Sequence, residues 1–225
     1  MEQNHAARKL NPKNTMEDYN SNNPSLAQLL LSKQSIKIYH QNVRSLRYKM
    51  NELLCHLSHD PPHILCRTEH QLHLEESASF HIENYVLGSC YCTKSKHKGA
   101  VCTYVHSTVN FIYLDIDNYC LDEDSEACAI HLNFKHDKLC ILATCRSPRG
   151  NFNTFFKTKF DLTLHKFYNH NFNFIICGDI NVDYLTESTK KKLDRILQSY
   201  KLSSIVNFHT RISLHSFSTV DSFFN

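Results

Sequence analysis

The side chains best suited to chemistry are a carboxylate and a carboxamide two residues apart, Asp179 and Asn181. They close the run Phe174-Ile175-Ile176-Cys177-Gly178. On an extended backbone residues two apart point the same way, so Ile175, Cys177, Asp179 and Asn181 share one face, apolar at its root and polar at its open end. Asp offers a hard anionic oxygen for Mg2+ or for orienting a water, and Asn donates hydrogen bonds without adding negative charge. A site that handles phosphate uses that pairing. A strand that merely ends in an Asx turn has the same spelling, so the pair needs partners from elsewhere in the chain. Asn42, Glu69 and Asp221 each fall at or near the end of another predicted strand. A sheet can gather such ends into one acidic, amide-lined pocket, which is what metal-assisted phosphodiester hydrolysis requires. There Glu69 would hold the cation, Asp179 would orient the attacking water, and Asn donors would stabilise the pentacovalent intermediate.

The elements that must position these groups are legible as short apolar runs. Alternation from Ser35 predicts a strand that delivers Asn42, and the spacing of Leu46, Met50, Leu53, Leu54 and Leu57 predicts a helix that Pro61-Pro62 stops. His63-Ile64-Leu65-Cys66 predicts the strand that leads into Arg67-Thr68-Glu69. Further strands are predicted over 81–87, 101–105, 109–116, 126–134 and 139–145. A helix follows the Arg146-Ser147-Pro148-Arg149-Gly150-Asn151 turn, with Phe152, Phe155, Phe156, Phe160 and Leu164 toward the core. Another, capped by Ser188 or Thr189, buries Leu193, Ile196, Leu197 and Tyr200, and a strand over 217–224 carries Asp221. Residues 1–34, rich in Asn, Lys, Ser and Gln, are expected to form a disordered leader with at most a turn of helix at Leu26 to Leu31, so the domain spans 35–225.

Composition bounds the class. A chain of 225 residues that is 41% hydrophobic and 11% aromatic can bury one sizeable core. With 25 Lys+Arg against 22 Asp+Glu, charge alone selects no partner. Only 4 glycines are present, with no P-loop and no G-x-G-x-x-G, which argues against a Gly-rich nucleotide loop. Most of the 10 cysteines lie in apolar runs, without a C-x-x-C, a signal peptide or an 18-residue apolar stretch. Free core thiols in an intracellular protein, cytoplasmic or nuclear and not membrane-bound, are therefore expected. Cys90-x-Cys92 with His97 lacks the spacing of a structural zinc site. Lys94, Lys96, His97 and Lys98 make a basic turn that is either solvated or a nucleic-acid contact.

In order along the chain, HQNVRSL at 40–46, ILCRTEHQL at 64–72, KGAVCTYV at 98–105, CRSPRGN at 145–151, IICGDINVDYL at 175–185 and TRIS with STVDSFFN at 210–225 resemble the endonuclease/exonuclease/phosphatase superfamily. Within it they are most similar to the endonuclease domain of non-LTR retrotransposon polyproteins. The resemblance implies an α/β fold, a DNase I-like two-sheet sandwich flanked by helices, acting as a Mg2+-dependent nicking endonuclease on DNA, with Mn2+ as a substitute and the chain a monomer. It makes Glu69 the metal ligand with Asn42 beside it, Asp179 and Asn181 the water-orienting and phosphate-binding pair, and Asp221 a supporting acid. Arg146 and Thr210 would be phosphate contacts. Cys145 occupies the position of a family tyrosine that contacts the scissile phosphate. The family's closing Ser-Asp-His segment would follow the Asp221 strand, and neither His209 nor His215 stands in it. A C-terminally truncated domain lacking its last strand, with weak or no activity of its own, is the resulting expectation. Two other readings remain open: a phosphomonoester or phosphoinositide phosphatase of the same fold, and a non-catalytic remnant that binds nucleic acid or protein.

Overall fold

The computed structural model describes residues 35–57, 60–77, 80–93, 99–133, 138–168, 172–212, 217–219 and 221–225. The expected leader, its turn of helix, and the basic turn at Lys94, Lys96, His97 and Lys98 lie outside them, as does His215. Two sheets stack face to face. The first contains β1 (Ile38–Asn42), β2 (Ile64–Thr68), β3 (Tyr85–Tyr91) and β4 (Val101–His106) in the order β1-β2-β4-β3. The second contains β5 (Ile112–Leu114), β6 (Glu126–Asn133), β7 (Lys138–Cys145), β8 (Phe172–Asp179) and β11 (Asp221–Phe224) in the order β11-β8-β7-β6-β5. A two-stranded ribbon, β9 (Arg211–Ile212) with β10 (Phe217–Ser218), lies between β8 and β11 in the chain.

The layers follow from the period-2 pattern of the strands. Ile64, Cys66, Val101 and Val105 of the first sheet meet Cys128, Ile130, Ile141, Ala143 and Cys177 of the second in the central core. The opposite faces are covered by helices. Helix α1 (Met50–Leu57) places Leu53 against Leu65, Cys102 and Tyr104 on the outside of the first sheet. After a short α2 (Leu74–Ser77), helices α3 (Asp161–Tyr168) and α4 (Glu187–Ser199) place Leu164, Phe167, Leu193 and Leu197 against Phe174 and Ile176 of the second. Burying each of these side chains contributes about 1.5–3 kcal/mol. Among the described residues no helix is long and apolar enough to cross a membrane, and all ten cysteines are free thiols.

Several boundaries differ from the sequence expectation, each for a local reason. The strand expected over 81–87 begins only at Tyr85, because Asn84 adopts a left-handed conformation (φ 64°) and Tyr85 N–H closes a turn onto the Ile82 carbonyl. The strand expected over 109–116 shrinks to β5 once Val109 N–H turns back to the His106 carbonyl. The helix after Asn151 opens as a wide π-helical turn over Thr154–Phe160, entered where the Asn151 side chain accepts the N–H groups of Asn153 and Thr154. Helix α4 starts at Glu187, with Thr186 at the cap position in place of Ser188 or Thr189. Asp183 organises that entry: its carboxylate accepts Leu185 N–H and Thr186 Oγ1, and its carbonyl accepts Thr186 N–H. The single strand expected over 217–224 is two pieces, β10 and β11.

Candidate active site

β8 delivers the central acid. It runs parallel to β7, with Cys145 opposite Asp179, and antiparallel to β11, with Asp221 opposite Asp179. Asp221 therefore opens its strand, and the antiparallel pairing still brings it to the end of β8. Gly178 permits the close approach of β7, since a Cβ there would overlap the Thr144 carbonyl oxygen. Beyond Asp179 the chain turns sharply: Asn181 is left-handed (φ 48°) and its N–H bonds Asp179 Oδ1 at 3.0 Å. So an Asx turn is present, and it uses one carboxylate oxygen only. The other faces the opposite sheet.

That opposite sheet supplies Asn42 and Glu69. β1 and β2 run parallel, and their pairing continues past the strand ends through Val43 N–H to the Thr68 carbonyl, Ser45 N–H to Glu69 and Leu46 N–H to His70. Arg44, Ser45, Glu69 and Gln71 all have positive φ along this rim. Such backbone is held against its own preference, typically by about 1–3 kcal/mol per residue, and is found where a side chain has to be aimed. The Asn42 amide nitrogen donates to Glu69 Oε1 at 2.9 Å and to Asp179 Oδ2 at 2.6 Å. One amide thus joins an acid from each sheet. Its oxygen accepts Arg44 N–H at 3.2 Å, which fixes the orientation of the amide.

Burial and crowded charge push the Asp179 carboxyl up to about 6, with Asp221 the next largest influence and Glu69 a smaller one; the bonds from Asn42 and Asn181 oppose them. Among the described residues no basic side chain lies within ion-pair distance of Glu69, and none of Asp179. Hard, clustered, uncompensated carboxylate oxygens are the donor set a divalent magnesium-type cation takes. The residues present fit such an ion, with Glu69 as its carboxylate ligand and Asp179 facing it across the Asn42 amide. Asn42, with both its polar ends already engaged, acts in this geometry as the clamp between them.

The remaining sequence candidates are placed nearby in supporting positions. Asn181 Nδ2 donates to the Arg146 carbonyl at 2.7 Å, and Arg146 N–H donates to the Asp179 carbonyl at 3.0 Å. The Arg146 guanidinium is turned back onto the carbonyls of Ser147, Gly150 and Asn181, at 2.8, 3.0 and 3.4 Å, which knits the 146–150 turn to the end of β8. Thr210 Oγ1 accepts Asp221 N–H at 3.1 Å and so anchors the start of β11. His40, buried between the sheets and held neutral by desolvation, with its pKa lowered to about 3, lies 3.9 Å from Asp221.

A cleft of about 720 Å³ opens beside these groups, lined by Arg44, Glu69, Cys145, Arg149 and Asn181, with Glu126 at its buried end. Sequence reasoning passed over Glu126. It is 2% exposed, stands opposite Cys145 in the β6–β7 ladder, and accepts Ala100 N–H at 2.6 Å and Glu123 N–H at 3.2 Å. Desolvation raises its carboxyl to about 7. An acid opening the otherwise apolar strand EACAIHL was the available signal. Gly99 makes room for it, because a Cβ there would overlap the carboxylate. Since Gln71 N–H bonds the Gly99 carbonyl and His70 N–H the Ala100 carbonyl, Glu126 also braces the loop that carries Glu69.

Known structures share this architecture. The endonuclease domain of TRAS1, a telomere-specific non-LTR retrotransposon, superposes with a TM-score of 0.63 at 10% identity, covering 84% of this chain and 83% of that one. This is the DNase I-like endonuclease/exonuclease/phosphatase fold. The AP endonuclease LMAP from Leishmania major gives a TM-score of 0.67 at 13% identity over 84% and 78% of the two chains. The Neisseria 3′ phosphatase NExo, bound to a product DNA hairpin, gives 0.60 at 11% identity over 84% and 86%. No family model matches the sequence. No curated protein matches it either.

Proposed function

We propose that the chain is a metal-dependent phosphoester hydrolase acting on the phosphodiester backbone of DNA, of the retrotransposon nicking type. The observation that carries this reading is the Asn42 amide, which holds Glu69 and Asp179 from opposite sheets at 2.9 and 2.6 Å. Solved structures of this fold that are nucleases and a DNA-bound phosphatase support it. A bound Mg2+ would supply Lewis-acid screening of the phosphate charge. The rest falls to the chain itself. At neutral pH Asp179 is ionised, and its carboxylate can orient a water and accept its proton. Asn181, fixed by its bond to the Arg146 carbonyl, presents its remaining amide surface to the cleft. Arg44 and Arg149 are exposed cations at the rim, suited to a polyanionic strand. Cys145 stands where the family carries a phenol; its thiol is buried and raised by desolvation and the surrounding acids, so it contributes no charge and little reach. Slow turnover follows.

The test is supercoiled plasmid incubated with protein in molar excess and Mg2+. The expected product is nicked circle, absent with EDTA and absent with Asp179→Ala. Nicking that survives Asp179→Ala would refute the assigned role. Hydrolysis of a 3′-phosphorylated oligonucleotide or an inositol phosphate without any nicking would move the substrate to phosphomonoesters.

A further inference from the structure

We infer that Cys90 and Cys92 form a thiol pair that a hydroperoxide oxidises reversibly to a disulfide, a modification site separate from the acidic cleft. The two sulfurs are 3.4 Å apart. Cys90 belongs to β3, paired with Cys102, whereas Cys92 lies one residue past the end of the strand. Cα atoms two residues apart in a strand are about 6.6 Å apart, longer than the roughly 5.5–6 Å most disulfides span, so a bond between them requires the chain to bend. Cys92, free of the ladder, can bend. Both residues are partly exposed, unlike Cys66, Cys102, Cys128, Cys140, Cys145 and Cys177, which are buried.

Hydrogen-bonding groups flank the pair on both sides. Leu72 N–H donates to Nδ1 of His70 at 3.1 Å, so the ring proton sits on Nε2, and Nε2 lies 3.5 Å from the Cys90 sulfur. With Cys92 as the thiolate, the shared S–H belongs to Cys90, and the Cys92 sulfur also receives the Ser77 hydroxyl. These bonds lower the Cys92 thiol, and the Cys90 bond is the larger influence, whereas Cys90 is raised and keeps its proton. A sulfur that takes a hydroxyl donor and has a second thiol at contact distance is the arrangement of an attacking thiolate beside a resolving thiol. The same tautomer argues against a metal. His70, Cys90 and Cys92 are close enough to share one, but a ligating histidine donates from its second nitrogen, and here that nitrogen accepts.

The chemistry balances in two steps. The Cys92 thiolate attacks a peroxide oxygen, forming S–O as O–O breaks, and the alkoxide or hydroxide released takes up a proton. Cys90 then attacks the Cys92 sulfenic acid, forming S–S as S–O breaks, and its proton leaves with the hydroxyl as water. Two thiols are oxidised by two electrons and one hydroperoxide is reduced by two.

The experiment treats the full chain with hydrogen peroxide and reads each thiol by differential alkylation and peptide mass spectrometry, with dimedone present in a parallel sample. The expected result is loss of two alkylatable thiols per chain, mapped to Cys90 and Cys92 and recovered with dithiothreitol. Cys90→Ser should halt at a dimedone-trapped sulfenic acid on Cys92, and Cys92→Ser should leave Cys90 reduced. Since serine is nearly isosteric and both sites are part-exposed, circular dichroism should show both variants folded. Survival of both thiols at peroxide levels that oxidise the exposed Cys55 would overturn the inference. So would stoichiometric Zn2+ binding that protects Cys90, Cys92 and His70 together. Neither outcome depends on the hydrolase reading.

Discussion

Replacing Asp179 by Asn in the metal-free protein is expected to stabilise the fold while removing its chemistry. The carboxyl is raised from 3.8 to about 6 in the folded chain, chiefly by burial. At 1.36 kcal/mol per unit, those roughly two units mean that folding the ionised form costs about 3 kcal/mol at neutral pH. The substitution removes that term. Its amide oxygen can still accept Asn181 N–H, but an amide nitrogen facing Asn42 forfeits one hydrogen bond of about 0.5–1.5 kcal/mol. A net gain of about 1.5–2.5 kcal/mol remains, or roughly 3–10 °C in Tm for a chain of this size. The sign with pH is fixed. A raised carboxyl favours the fold below the unfolded value of 3.8, and that advantage is lost as pH rises through about 6. The gain from Asp179→Asn should therefore be largest at pH 7.5, under half that at pH 5, and reversed below about pH 3.8, where only the lost hydrogen bond remains. Thermal unfolding of both proteins in EDTA at these pH values measures it. A variant less stable than the parent at pH 7.5, or a gain that grows on acidification, would refute the reasoning.

Two further substitutions test the packing that aims the site. Arg67 is 0% exposed, stacks over the Tyr39 ring at 5.0 Å, and none of its guanidinium nitrogens has a hydrogen-bond partner among the described residues. Arg67→Met should raise stability in urea by about 1–4 kcal/mol, as exchange of buried ions for apolar volume does elsewhere, and a loss would show that the charge is compensated. Gly178→Ala should lower stability by roughly 3 kcal/mol or more, because the new Cβ has to displace β7 backbone at the Thr144 carbonyl. A near-neutral effect in the same urea titration would mean that β7 and β8 separate easily there.

What the sequence made legible was whatever rests on period and on short polar exits. The apolar runs of β2, β7 and β8 lie within a residue or two of expectation, and the ends of β2 and β8 carry acids. The misplaced boundaries rest on single residues that settle a turn: Asn84 through its left-handed backbone delaying β3, and the side chains of Asp183 and Asn151 starting α4 and opening the π-helical turn. Such choices depend on which backbone N–H happens to be within reach, which no periodicity encodes. Glu126 was missed because a lone acid at the head of a strand reads as solvated until the partner strand and the Gly99 loop are seen closing over it. Likewise, the way Arg146 folds back onto three carbonyls follows from a turn geometry that the letters RSPRG leave open.

The central claim is that Glu69 and Asp179, joined across the sheets by Asn42, form one cation-holding hydrolytic site. Mg2+ titration by calorimetry, with the parent and Glu69→Gln in parallel, tests it most directly. A carboxylate is the strongest hard-oxygen donor in the cleft, so the account predicts a single site weakened at least about tenfold by the substitution. Equal affinities in the two proteins would place the cation elsewhere and contradict the account.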